Sequence, residues 1–215
     1  MSFRIFPYTA GVLFEDDDIV VQTFAGGCTE FATQGSIFFA VIEGRTMVNG
    51  YKVSPGMYGC IPHVAIFNSA EPCRVMIVEA KRYHAIFSLG GPVEPEGRLR
   101  YIDGCTDTGL IAPFRLGDPC LNYLYFPPDT QQTAHTHPSH RVGAIYDGEG
   151  VCLTEKGPTP MRQGDVFIIP ADALHWFSTE DSPMRIIVFH PDSEFGPTDE
   201  LHQMREATLI AEPAQ

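Results

Sequence analysis

Short apolar runs rich in β-branched and aromatic residues recur along the whole chain, each closed by Gly, Pro or Asp. In the first half they are GSIFFAVIEG, YKVSPG, YGCIP and CRVMIVEA; in the second, LNYLYFPP, RVGAIYDGEGVCL, GDVFIIP and MRIIVFHP. Each has the length of a strand and ends in turn-forming residues, so the pattern predicts an all-β protein of many short strands. The chain has 20 Gly and 18 Pro, which suits frequent turns rather than long helices. A single short helix is expected over 198–207, started by Thr198 or Asp199. No apolar run approaches the length needed to cross a bilayer.

The pattern repeats. Gly44 ends VIEG, Gly56 follows a Pro, Pro62 lies six residues on, and Phe67 five beyond that. In the second half Gly148, Gly164, Pro170 and His175 keep the same last two steps, six and five. Both copies then close on a β-branched strand. Duplicated spacing of this kind predicts two copies of one β unit: residues 1–88, a Gly- and Pro-rich linker over 89–113, a second unit over 114–195, and a tail over 196–215.

Lys and Arg number 14 against 27 Asp and Glu, a net charge of −13. An acidic surface repels phosphate backbones and anionic lipid, so neither nucleic acid nor membrane is expected as a partner. The six cysteines (Cys28, Cys60, Cys73, Cys105, Cys120, Cys152) lack CxxC spacing, and the N-terminal MSFRIFPYTAGVLFEDDD does not read as a signal peptide. Reduced, mostly buried thiols in a cytoplasmic protein are the expectation.

Candidate chemistry lies in the second copy, in AHTHPSHRVGAIYDGEG followed by RQGDVFIIPADALHWF. On a strand, His135 and His137 point to one face. His175, on a later strand beyond a Gly-Asp turn and a Pro, can bring a third imidazole to the same space. Three neutral imidazoles suit a divalent metal but do not select among Fe, Zn, Ni, Mn and Cu.

These residues resemble the cupin superfamily, whose motifs read G-x5-H-x-H-x3–4-E-x6-G and G-x5-P-x-G-x2-H-x3-N. The first is matched by His135, His137 and Gly148, the second by Gly164, Pro170 and His175, with Asp172 at its second Gly. The resemblance implies two tandem cupin barrels (double-stranded β-helix, or jelly roll), with the metal motif kept only in the second. Three positions depart from it. Asp129 and Thr130 stand about where the leading Gly belongs, Arg141 takes the slot of the Glu ligand, and Thr179 replaces the closing Asn. Arg cannot ligate a metal, which leaves a three-histidine site.

His140 is a fourth candidate ligand if a bulge near Pro138 reverses the strand alternation. Arg141 shares the parity of His135 and His137 and should point inward. A buried guanidinium calls for an anion, either a substrate carboxylate or an internal Asp or Glu. In the first copy Phe31, Thr33 and Phe67 fall at the three ligand positions, so that barrel should be apolar and metal-free. His63, His84, His190 and His202 have no partner at useful spacing. Tyr123 and Tyr125 can line the pocket or belong to the core. Trp176 should pack between sheets. Gly143 either leaves room for a ligand or makes a tight barrel corner. Asp147-Gly148-Glu149-Gly150 is a hairpin signal and not a phosphate loop.

The functional expectation is a metal-dependent cupin enzyme acting on a small anionic organic molecule. The resemblance implies a dioxygenase, with Arg141 as the substrate clamp. The alternatives are a non-catalytic binding or sensing bicupin and a cupin isomerase, cyclase or lyase; a purely structural metal would want four protein ligands. A homodimer is expected from the exposed edges of such barrels.

Overall fold

The computed structural model describes residues 3–202. The first half contains β1 (Arg4–Phe6), β2 (Gly11–Glu15), β3 (Ile19–Phe24), β4 (Gly27–Glu43), β5 (Thr46–Val48), β6 (Tyr51–Val53), β7 (Tyr58–Ser69), β8 (Arg74–Ala80) and β9 (Ser88–Gly90). After it come β10 (Leu99–Arg100), a 3-10 turn at Ile102–Gly104, β11 (Thr106–Ile111), β12 (Cys120–Phe126), β13 (Arg141–Thr154), β14 (Gly157–Arg162), β15 (Val166–Ile169), β16 (His175–Ser178) and β17 (Met184–His190). The all-β architecture expected from the sequence is the one observed.

The halves share one strand order. One sheet runs β3-β8-β4-β7, the other β12-β17-β13-β15, and all these neighbours are antiparallel. The repeated glycines have a physical cause. Gly44 (φ 73°) and Gly148 (φ 77°) turn the chain with left-handed backbone. A Cβ at either would lie 2.6 Å from the Pro72 carbonyl oxygen or 1.9 Å from that of Pro183, so no side chain is tolerated where the returning strand crosses.

Two features go beyond the sequence reading. Residues 4–6, assigned to the first unit, pair with β15 (Arg4 with Ile168, Phe6 with Val166) and so extend the second sheet. The 89–113 segment is built into both sheets rather than simply joining them. β9 pairs with β7 at the first sheet's edge, and β11 pairs with β12 in the second. Of the helix expected at 198–207, residues 203–207 lie outside the described residues. Over 198–202 the chain is bent, with Thr198 Oγ1 accepting a hydrogen bond from the Leu201 N–H (3.0 Å).

Three apolar cores follow from strand alternation. Ile37, Phe39, Val41 and Phe67 fill the first barrel. Phe126, Phe167, Phe177 and Val188 belong to the second. Phe38, Ala40, Val142, Ala144 and Phe189, from the opposite strand faces, pack the two sheets together, with the Phe38 and Phe189 rings 4.9 Å apart. Strands buried on both faces read as the unbroken apolar runs seen in the sequence. All six cysteines are free thiols; Cys28 is exposed and the others are buried. Among the described residues no helix is long and apolar enough to cross a membrane.

Candidate metal centre

His135 and His175 face each other across an isolated antiparallel bridge, each backbone N–H donating to the other's carbonyl at 3.0 Å. His137 joins them without lying on a regular strand; its carbonyl accepts from the Asp172 N–H at 2.7 Å. The three ring centroids are 4.6–5.2 Å apart, and one ligand atom from each lies within 4.8 Å of the others. Three nitrogens each ~2.1 Å from one tetrahedral ion lie about 3.4 Å from one another, so ring movements of about an ångström would let all three share an ion.

The hydrogen bonds select the ligating atoms. His135 Nδ1 lies 2.8 Å from the Thr133 carbonyl and His175 Nδ1 lies 2.9 Å from that of Ala173. A ring that donates from Nδ1 presents an unprotonated Nε2, and His175 Nε2 is buried without a partner. Burial, reinforced by the Arg141 charge, lowers the His137 pKa to about 3; burial lowers that of His175 to about 4. Neutral imidazole is the form a metal requires.

The structure does not bring His140 to this group. Its Nδ1 accepts from the Ala171 N–H at 3.1 Å, its Nε2 lies 3.6 Å from Asp16 Oδ2, and its ring packs on Phe14. Residues 138–140 lie before β13, which begins at Arg141 opposite Ile169, so no strand alternation runs through His140.

Arg141 does point inward. Its side chain is 4% exposed and its guanidinium carries an ion pair to Glu194 (2.8 Å), whose side chain is 39% exposed. Nη1 donates to the Ser139 hydroxyl and carbonyl and to the His140 carbonyl, while Nε is buried and unpartnered. Glu194 follows β17 on a loop held to the loop before β12. Ser193 exchanges backbone hydrogen bonds with Gly117 and Asp118, Leu116 N–H donates to the Pro197 carbonyl, and Arg115 pairs with Asp199.

Triad and guanidinium share a cavity of about 250 Å³ that reaches from the three histidines to Asn122, His190 and Phe195. Its apolar wall is aromatic, with Phe126, Phe167 and Phe177 packed at 5.3–6.0 Å. Gly143 is explained by Phe167: a Cβ there would meet the ring at 2.2 Å, so a phenyl ring and not a ligand occupies that space. Tyr123 and Tyr125 face away from the cavity. Tyr123 is core between the sheets and donates its hydroxyl to Pro95, and Tyr125 stacks under Arg185. The even-numbered residues of β12 line the site instead. Thr179 and Thr130 are buried and knit two loops together: Thr179 Oγ1 accepts from the Thr130 N–H (3.0 Å) and donates to the Pro127 carbonyl (2.5 Å). In the first barrel Phe67 packs against Phe24, Phe31 and Phe39 at 5.4–5.7 Å, filling the space that corresponds to the triad.

Sequence reasoning missed Asn122, His190, Glu194 and Asp107. A lone Asn within LNYLYF, and a His closing the last strand, were the available signals.

Residues 122–190 match the cupin domain family model. No curated protein matches the chain. Among solved structures, a cupin 2 conserved barrel domain protein from Leptotrichia buccalis is similar at 14% identity, with 89% of each chain covered and a TM-score of 0.63. Salicylate 1,2-dioxygenase from Pseudaminobacter salicylatoxidans is similar at 13% identity over 81% of this chain and 71% of its own, with a TM-score of 0.60. A variant of that dioxygenase in complex with gentisate superposes with a TM-score of 0.57 at 13% identity, covering 80% and 68%.

Proposed function

Taking this chain as a cupin on the strength of its 122–190 match and its fold, we propose that the second barrel is a metal-dependent enzyme for a small anionic organic molecule. His135, His137 and His175 would hold one divalent ion, and Arg141 would hold the substrate's anionic group. The observation that carries this reading is the pairing in one cavity of a neutral imidazole triad, with an orphaned His175 Nε2, and a buried guanidinium with an orphaned Nε. A bound divalent ion supplies Lewis acidity and open coordination positions for substrate, and for dioxygen if it is iron.

The charges favour anions. With three neutral ligands, the ion and the Arg141 guanidinium carry three positive charges against the Glu194 and Asp107 carboxylates that line the cavity, so the centre stays net cationic inside an acidic protein. A carboxylate held by Arg141 would be fixed in orientation relative to the triad, which lowers a barrier by positioning. The aromatic wall excludes water and suits an apolar or planar substrate body. The likeness to a salicylate dioxygenase supports an oxygen-dependent reaction as the first to test.

Elemental analysis of purified protein should find one metal per chain, lost in His135→Ala/His175→Ala. Benzoate titration should show binding that Arg141→Ala weakens at least tenfold at unchanged metal content. Oxygen uptake with hydroxylated aromatic acids then tests the dioxygenase reading. Two metals per chain, or benzoate binding indifferent to Arg141, overturns the site assignment. Metal and anion binding without any turnover assigns the chain to the non-catalytic binding class.

A further inference from the structure

The cavity has a second polar end that neither the triad nor Arg141 explains. Asn122 is 8% exposed and lies among apolar lining residues of β12 and β17, namely Leu124, Phe126, Ile186 and Val188. Its Nδ2 donates to the Asp107 carboxylate (3.0 and 3.4 Å). A carboxylate can only accept from the amide nitrogen, so this bond fixes which way the amide is turned and leaves Oδ1 outside it. Oδ1 is buried and has no partner. His190 lies beside it. Cys120 pairs with His190 and Asn122 with Val188, so Asn122 and His190 are diagonal neighbours on one face of adjacent strands. His190 Nδ1 is likewise buried and unpartnered. Besides His175 Nε2, the unpartnered buried polar side-chain atoms among the described residues are Arg141 Nε, Asn122 Oδ1 and His190 Nδ1, and all three residues line this one cavity.

Leaving a buried polar atom unpaired is destabilising, and such atoms usually mark a ligand or an ordered water. We propose that Asn122, oriented by Asp107 and flanked by His190, is a hydrogen-bond-accepting subsite that selects ligands carrying an O–H or N–H group on an apolar body. This deepens the reading above by naming a second substrate group besides the anion. Asp107 orients the Asn122 amide and also lines the cavity itself. The neutral His190 imidazole, presenting Nδ1 as donor or acceptor according to its tautomer, accommodates the same group.

The test compares toluene with phenol, and benzoate with 3- and 4-hydroxybenzoate, on metal-loaded wild type and Asn122→Leu by calorimetry. An apolar pocket prefers toluene, because a buried unpaired hydroxyl is penalised. The subsite predicts that wild type prefers phenol by about tenfold, that at least one hydroxybenzoate binds about tenfold tighter than benzoate, and that Asn122→Leu abolishes both gains. A wild-type preference for toluene overturns the proposal without need of any variant, as does a phenol preference that survives in Asn122→Leu. The neutral pair does not use the anion site. Failure of the Arg141 reading would therefore appear as benzoate binding that is absent or indifferent to Arg141→Ala, while phenol remains preferred.

Discussion

Glu194→Gln separates the two roles open to Arg141, structural ion pairing and anion capture. The substitution keeps the side chain's shape and one acceptor oxygen but removes the charge 2.8 Å from Arg141 Nη2. Breaking a fully buried pair costs about 3–5 kcal/mol. Glu194's side chain is 39% exposed, and Arg141 keeps its bonds to Ser139 and His140, so solvent screening cuts this to about 1–2 kcal/mol. Urea unfolding should show that loss. If Arg141 captures anions, Glu194 is their intramolecular competitor, and its neutralisation should return a similar free energy to the ligand. Benzoate should then bind about 5–30 times more tightly, as about 1.4 kcal/mol is tenfold. Calorimetry on metal-matched wild type and variant, at low and high salt, reads this directly. Unchanged or weaker benzoate binding in Glu194→Gln, alongside the expected stability loss, would refute anion capture and leave a structural pair.

Gly143→Ala should cost about 1–3 kcal/mol by overpacking against Phe167, since its Cβ would sit 2.2 Å from that ring; a thermal melt within a degree of wild type would contradict it. Phe67→Ala should lose about 3–5 kcal/mol from the first barrel, measured by urea unfolding, without changing metal content. In chelator-treated protein, His175 has a folded pKa near 4 against an ordinary 6.5. The unfolded chain therefore binds the extra proton between those values, and His175 alone lowers stability by about 3 kcal/mol as pH drops from about 6.5 to 4; His137, lowered to about 3, adds to the fall and extends it below pH 4. Urea midpoints that stay flat across that window would count against a neutral buried triad. The exposed apolar side chains Tyr51, Ile86 and Phe87 on the first barrel suit a second copy of the chain; sedimentation at micromolar concentration should report a dimer.

The triad was legible because its geometry is carried by local spacing: a His-Thr-His step and a Gly-to-Pro-to-His interval. Its Arg neighbour was anticipated from parity with His135 and His137, although those two lie before β13 and not on a continuous strand with it. What faced the cavity on β12 was not, because LNYLYF is apolar on both faces, and a one-residue change of register exchanges Tyr123 and Tyr125 for Asn122 and Leu124. Phe167 took the space beside Gly143 for a similar reason: only pairing of β13 with β15 shows which ring crosses the missing Cβ. Glu194 lies 53 residues from Arg141, on a loop whose path depends on its bonds to 116–118, so no sequence interval announces the pair. His140 was misplaced as a possible ligand because its true partners, Asp16 and Phe14, come from the other barrel.

The crossing of β1 onto β15 has a practical consequence for dissecting the protein. β15 carries Ile169, the register partner of Arg141, and on its far side it is closed by Arg4–Phe6. A fragment cut at the middle of the chain would keep every histidine of the triad yet expose that strand's backbone, an unpaired edge that invites aggregation. A minimal metal-binding fragment is therefore better made as a circular permutant, with the N-terminal segment grafted behind β17, than as a truncation.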